Sequence, residues 1–429
     1  MPPPAKPNDF LAELSWRGLL AQTSEGLEAR LRLGPISAYN GIDPTAVSLH
    51  VGHLVPITVL AHLQRTGAGS PVALVGGGTG MIGDPSGKSA ERNLLDEGTL
   101  DANRAAIRSQ MERLLDFTGS FAARLLDNRE WLARYGLLEF LRDIGKHFTL
   151  GYMLDKESVQ TRMAAGISFT EFSYMTLQAA DFLHLYRDYG VEMQLGGTEQ
   201  WGNMTAGLEL IRRVVGRGEQ DAPLAFALAH PLLLNPSGTK FGKTEAGSVW
   251  LSPERTSPYA FYQYWIGQDD RDVGAMLRML TLLPADEIVE VEEQQRARPE
   301  ARPAQRRLAF EMTSRVHGRD EAERQVRVAE AVFSDQPLRD PALLDVLFRE
   351  LPNWEFSDED LRLDAAGVGV ASGLYPSRSE ANRQLAQGAF WINEQRMGDG
   401  VGVPKPIDGR YLVLRAGKKR RVIGRRREG

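Results

Sequence analysis

Ile36-Ser37-Ala38-Tyr39 is a short apolar run that opens onto Asp43-Pro44-Thr45 and His50-Val51-Gly52-His53. A helical pattern from Leu54 to Leu63 follows, then a second strand-like run, Val72-Ala73-Leu74-Val75, which ends in glycines. Strand, loop, helix, strand in that order predicts an α/β fold: a parallel sheet with helical crossovers. Such sheets bind ligands beyond the C-terminal ends of their strands. The loops after these two runs are therefore where chemistry is expected.

Further along, the pattern changes. From Ser257 it is helical: Ser257-Pro258 supplies an N-cap and a first-turn proline, and Asp320 to Glu323 has capping-box spacing. Pro352 to Asp360 reads as a polar linker. Ser377-Arg378-Ser379-Glu380 is another capping box, opening a helix that Gly388 can end, and Ala389-Phe390-Trp391-Ile392-Asn393 reads as a strand. No internal repeat interrupts this order. Three parts are expected: an α/β body, a helical middle and a small α+β tail.

Composition sets outer limits. The 429 residues suffice for two or three domains, and 42% hydrophobic with 25% charged residues is ordinary for a globular protein. The absence of cysteine excludes disulfides, thiolate nucleophiles and cysteine-ligated zinc together. The opening Met1-Pro2-Pro3-Pro4-Ala5-Lys6-Pro7 lacks a signal peptide's apolar core, and no apolar run approaches the roughly 20 residues that span a bilayer. A soluble cytoplasmic protein without a membrane partner is expected. Charge is unevenly placed: residues 377–429 hold thirteen Lys/Arg against five Asp/Glu, a net of +8, so the remainder of a chain of net −5 carries −13. A polyanion contact confined to this end is one reading, and a solvated tail is the other.

Two motifs carry phosphate chemistry. His50-Val51-Gly52-His53 places two of seven histidines at a helix N-terminus, where free N–H groups and a partial positive charge attract phosphate. Gly52 leaves room for a flat ring such as adenine. Two histidines three apart are also a common structural arrangement, and no third ligand for a metal stands nearby. Lys240-Phe241-Gly242-Lys243-Thr244 lies in a Gly/Ser/Thr-rich stretch from Asn235 to Gly247. Two lysines on a mobile loop can close over a triphosphate and neutralise charge moving towards pyrophosphate. Alone, the segment reads first as a solvated basic loop. Gly78-Thr79-Gly80-Met81-Ile82-Gly83 matches a dinucleotide fingerprint, but Asp84-Pro85 interrupts the helix it needs. Gly83 to Ser89 falls one residue short of a P-loop.

With both phosphate motifs in view, the chain resembles the class I aminoacyl-tRNA synthetases, and among them the bacterial tyrosyl-tRNA synthetases, over nearly its whole length. The histidine turn looks like that class's first signature and the lysine stretch like the tyrosyl form of its second. Tyr39 to Thr45, Gly83 to Lys88 and Gln194 to Asn203 are similar to tyrosyl-enzyme segments. The resemblance implies a Rossmann-like catalytic domain (1–232), a mobile lysine loop and linker (233–256), a helical anticodon-side domain (257–350) and an S4-like RNA-binding domain (357–429).

It also implies roles. Tyr39 and Asp181 would hydrogen-bond the tyrosine hydroxyl, and Tyr174, Gln178 and Asp84 its ammonium group, with Gln194 also on the tyrosine side. Tyr174, Gln178 and Asp181 share one face of a helix expected from Glu171 to Leu185. Asp43, His50, Gly52, His53, Gly197, Glu199, Gln200 and Lys243 would contact ATP. Glu199 stands where the family usually has aspartate, which changes its reach towards the ribose. His50, His53, Lys88, Arg92, Lys240, Lys243 and Thr244 would act in catalysis, the lysines, arginine and threonine on the pyrophosphate. Arg378, Arg383, Arg410, Arg415, Lys418 and Lys419 would contact RNA. ATP would be a substrate carrying magnesium, with no protein metal site and no zinc. The partners implied are L-tyrosine, ATP, tRNA(Tyr) and a second copy of the chain, Phe169 matching an interface position. A tryptophanyl-type enzyme, a smaller HIGH-type nucleotidyltransferase and a non-catalytic RNA-binding body are the rivals. Tyr39 with Asp181 argues for a phenol over an indole, and the intact histidines and lysines argue for catalysis.

Overall fold

The computed structural model describes residues 9–86, 95–163, 166–232, 243–244, 247–333, 338–398, 400–417 and 420–427. They form two compact units: residues up to Thr256 with Gln263–His317, and Ser257–Tyr262 with the residues from Gly318 onward.

The first unit is built on β1 (Gln22–Thr23), β2 (Ile36–Ile42), β3 (Gly69–Val75), β4 (Arg124–Asp127), β5 (Met193–Gly197) and β6 (Phe226–His230). Their order is β1-β6-β5-β2-β3-β4; all neighbours are parallel except β1, which runs antiparallel on β6. β2, β3, β5 and β6 are almost wholly buried, as strands of a parallel sheet covered on both faces must be. The helix expected from Leu54 runs to Arg65, with nine of its residues buried. Successive strands lie on one side of β2 up to β4, and the chain then returns to lay β5 and β6 on the other side. The order therefore reverses between β2 and β5, where Tyr39 faces Gln194 in register. A crevice opens at such a reversal, beyond the carboxyl ends of the strands.

The helix expected from Glu171 to Leu185 is longer, Phe169–Tyr189. Ser168 caps it by accepting from the Glu171 N–H, and Gly190, at φ 65°, ends it in the left-handed conformation. Met175, Ala179 and Phe182 bury one stripe of it in a core shared with Tyr39 and Leu74. Every described element from Pro258 to Glu350 is helical. In the first unit, buried Arg17 donates to the carbonyls of Arg278, Thr281 and Leu283 at 3.0, 3.1 and 2.6 Å, where the helix Val273–Leu280 ends. A cation there satisfies carbonyls that the helix leaves open.

The second unit holds a five-stranded sheet of β9 (Asn353–Phe356), β10 (Phe390–Ile392), β11 (Gln395–Arg396), β12 (Tyr411–Ala416) and β13 (Arg420–Arg426), in the order β11-β10-β12-β13-β9. Here two expectations are corrected. Pro352 to Asp360 is not a linker: it contains β9, parallel to β13, with Phe356 fully buried. Asp320 is not a cap, because its helix already begins at Arg319. Ser377 does cap the helix Arg378–Ala386, accepting from the Glu380 N–H. No described helix is long and apolar enough to cross a membrane.

Candidate active site

At the reversal between β2 and β5 lies a cleft of about 380 Å³ whose lining includes Tyr39, Asp43, His50, His53, Tyr174 and Asp181. Its floor is set by β2 and the long helix. Tyr39 is 1% exposed, and its hydroxyl has no hydrogen-bond partner among the described residues. A buried hydroxyl left so costs free energy unless a ligand completes it. Asp181 is 2% exposed and accepts from Trp131 Nε1 and Asn128 Nδ2, each at 2.7 Å. Both donors are neutral, so they orient the carboxylate without compensating its charge. Burial pushes its pKa up to about 8, against the pull of these two hydrogen bonds. Burial, with Asp181 nearby, likewise holds the Tyr39 hydroxyl protonated, well above its ordinary range.

A polar chain leads from this floor to the histidine turn. The Asn128 amide also donates to Thr79 Oγ1 at 2.9 Å and accepts from the Gly78 N–H at 2.7 Å. Thr79 donates to Asp43 Oδ1 at 2.6 Å, and Tyr174 donates its hydroxyl to Asp43 Oδ2 at 2.9 Å. Gly76 makes this possible: a Cβ there would lie 2.1 Å from Asp43 Oδ1. Beside Tyr174, Gln200 donates to Asp84 Oδ2 at 2.7 Å, while Asn203 donates to Gln178 Oε1 at 3.1 Å and to Gln200 Oε1 at 3.2 Å. Acceptors thus crowd one wall of the cleft, a setting suited to a cation.

The histidines close the other wall. His50 Nδ1 accepts from the Gly52 N–H at 3.1 Å, and His53 Nδ1 accepts from the His50 N–H at 3.0 Å. Each cap requires a bare Nδ1, which in a neutral imidazole places the proton on Nε2. The turn Val51–His53 is a single 3₁₀ turn running into the helix Leu54–Arg65, with the His50 and His53 ring centroids 3.9 Å apart and the planes tilted by 31°. Two N–H donors at a helix start are a ready phosphate site. The segment after the lysine stretch is pinned here: the Val51 N–H donates to the Val249 carbonyl at 3.0 Å, and the Leu251 N–H to the Leu49 carbonyl at 2.8 Å. β7 (Lys243–Thr244) pairs antiparallel with β8 (Gly247–Ser248), which leads directly into that segment.

The cleft therefore gathers Tyr39, Asp43, His50, Gly52, His53, Asp84, Tyr174, Gln178, Asp181, Gln194, Gly197, Glu199 and Gln200. Gln194 carries a second buried oxygen without a partner among the described residues. Gly197 makes room for the Glu199 carboxylate, 2.2 Å from where a Cβ would stand. Gln200, expected on the nucleotide, lines the cleft, donating to Asp84 Oδ2 at 2.7 Å and accepting from Gln178 Nε2 at 3.4 Å. Lys88, Arg92, Lys240, Lys418 and Lys419 lie outside the described residues. In the second unit, Arg378 pairs with Asp364 and Arg383 with Glu380, while Arg415 stacks on Trp391 at 4.9 Å and Arg410 on Tyr411 at 5.6 Å. Thr79, Asn128, Trp131, Asn203 and His230 were not singled out from sequence. Asn128 and His230 close the strand-like runs at β4 and β6, a polar residue at a strand's carboxyl end that could have drawn notice. A larger hollow of about 1050 Å³ shares only Glu199 with the expected set, so convergent polar groups, not volume, mark the site.

Residues 32–334 match the family model described as tRNA synthetases class I (W and Y), and residues 344–423 match the tyrosine--tRNA ligase SYY-like C-terminal domain. A tyrosine--tRNA ligase of Anaeromyxobacter dehalogenans is 47% identical over 417 residues, covering 96% of this chain and 98% of its own. That of Geobacillus stearothermophilus is 45% identical over 419 residues, with the same coverage. A C-terminally truncated mitochondrial tyrosyl-tRNA synthetase of Aspergillus nidulans superposes with a TM-score of 0.68 at 30% identity, over 76% of this chain and 94% of that one.

Proposed function

This chain belongs to the class I tRNA synthetases of the W and Y group, and we propose that it joins tyrosine to transfer RNA in two steps at the cleft between β2 and β5. The tyrosine carboxylate attacks the α-phosphate of ATP and releases pyrophosphate; the terminal hydroxyl of the transfer RNA then takes the aminoacyl group from the adenylate. The attacking carboxylate is already ionised, so the first step needs no general base. Positioning and charge stabilisation provide the acceleration. ATP enters with its magnesium as one substrate.

The observation that carries the reading is the pair at the floor: the Tyr39 hydroxyl, without a partner among the described residues, beside the buried Asp181 carboxylate. A phenolic hydroxyl donates to one and accepts from the other. Phenylalanine leaves both unsatisfied, and an indole N–H can only donate. The ammonium group goes to Tyr174, Gln178 and Asp84, and Gln194 closes the tyrosine pocket. His50 and His53 offer Nε2–H groups to phosphate oxygens beside Gly52, Asp43, Gly197, Glu199 and Gln200 hold the nucleotide, and Lys88, Arg92, Lys240, Lys243 and Thr244 act on the departing pyrophosphate. The C-terminal arginines and lysines take the RNA backbone.

The enzyme works in the cytoplasm as a homodimer. Supporting this, Leu137, Leu138, Leu150 and Phe169 are 73%, 81%, 68% and 77% exposed on three helices of one unit. The test is exchange of labelled pyrophosphate into ATP across all amino acids. Exchange with tyrosine alone is expected; exchange with tryptophan, or none at all, overturns the assignment.

A further inference from the structure

The indole of Trp131 makes two contacts that matter together. Its Nε1–H donates to Asp181 Oδ1 at 2.7 Å. Its face lies on the His184 imidazole, with ring centroids 4.5 Å apart and planes at 29°. Trp131 comes from a single helical turn, Arg129–Leu132, too short to fix a large ring by itself. His184, in contrast, stands three residues after Asp181 on the rigid helix Phe169–Tyr189, so both side chains rise from one face. Asp188, one turn further, receives His184 Nδ1 at 2.7 Å and locks that ring. The indole is thus held edge-on to Asp181 and flat on His184 by one helix.

We propose that His184 is a positioning residue for tyrosine selection, stacking on Trp131 so that the indole N–H fixes the direction in which Asp181 presents its remaining lone pairs to the substrate hydroxyl. The inference rests on Asp181 being the acceptor for that hydroxyl. His184 is half-buried, and its environment is Asp188 on its own helix, Arg134 beyond the short one and the Tyr189 ring at 5.8 Å. With Nδ1–H given to Asp188, what His184 offers Trp131 is a neutral flat face. Any planar ring of similar size should serve, and a methyl group should not.

The experiment compares kcat and KM for tyrosine, phenylalanine and ATP in pyrophosphate exchange by the full-length enzyme, for His184→Ala, His184→Phe and Asp181→Asn. Loss of an aromatic pair predicts that His184→Ala raises the tyrosine KM and lowers tyrosine-over-phenylalanine selection about 3- to 10-fold. The ATP KM should stay at the wild-type value, and His184→Phe should restore selection. Unchanged selection in His184→Ala, with selection lost in Asp181→Asn, overturns the positioning role while leaving the pocket assignment intact. A parallel rise in the ATP KM that His184→Phe does not repair also overturns it, showing general damage. If Asp181→Asn leaves selection unchanged, the phenol acceptor lies elsewhere and the inference falls with it.

Discussion

A carboxylate that nature buries with only neutral donors has to do something with its charge. Burial pushes the pKa of Asp181 up to about 8. A substrate phenol donating to it favours the ionised form and lowers that value, so binding below pH 8 releases a proton. Tyrosine affinity should therefore fall as pH drops below 8, at most tenfold per unit, and level off above it. Equilibrium dialysis between pH 6 and 9 measures this, and Asp181→Asn should flatten the profile. The same substitution should cut selection of tyrosine over phenylalanine roughly 10- to 100-fold, the worth of a hydrogen bond to a charged group. Stability follows the opposite slope. A carboxyl whose folded pKa lies above its unfolded value stabilises fully at pH below about 4 and loses that contribution as pH rises through about 8. Urea midpoints of the wild type relative to Asp181→Asn should fall across that window.

The 3₁₀ turn Val51–His53 separates two duties that one residue type combines. Nδ1 of each histidine caps backbone, which in the neutral ring places the proton on Nε2, the atom proposed above to meet phosphate. Asparagine can place an oxygen near the Nδ1 position but has nothing at Nε2. His53→Asn should therefore keep the turn, with little change in denaturant midpoint, yet slow adenylate formation by about 10²-fold, as loss of an oxyanion-type donor does. His53→Ala should lose the cap as well, about 1 kcal/mol of stability. Stopped-flow activation kinetics set beside urea melts distinguish the two. A common loss of stability in both variants would refute the division of labour.

Across the whole chain, charge and cohesion make separate predictions. With +8 on residues 377–429, transfer-RNA affinity should fall steeply with salt while tyrosine activation barely changes. Filter binding between 50 and 200 mM salt, paired with pyrophosphate exchange, tests both. Cutting the chain before Ser357 would leave β9 without β13, and Leu344, Leu347 and Phe348 without Tyr411, Val413 and Ile423. That fragment should bind more hydrophobic dye than one ending at His317. Why β9 escaped the sequence is instructive. Asn353-Trp354-Glu355-Phe356 is an edge strand with alternating exposure, and its pairing partner lies about 70 residues on. By contrast, β2, the histidine turn and its helix were legible because their signals are local: apolar runs, a cap, a proline turn. The tyrosine-side residues were named from the family resemblance, and helical spacing only placed Tyr174, Gln178 and Asp181 on one face. Asn128 and Trp131 were not, since their meaning comes only from meeting Asp181 some fifty residues away.

One helix carries Tyr174, Gln178 and Asp181. The seven residue steps from Tyr174 to Asp181 span about 10.5 Å of axis, and backbone hydrogen bonds hold that length. In the proposed function, with the substrate amine referred to one end and its hydroxyl to the other, the helix would act as a gauge of how far apart the two groups of a candidate amino acid stand. Serine falls short of the far mark, and a tyrosine lengthened by one methylene overshoots it. Size exclusion here needs no wall at the end of the pocket, only a rod that does not stretch.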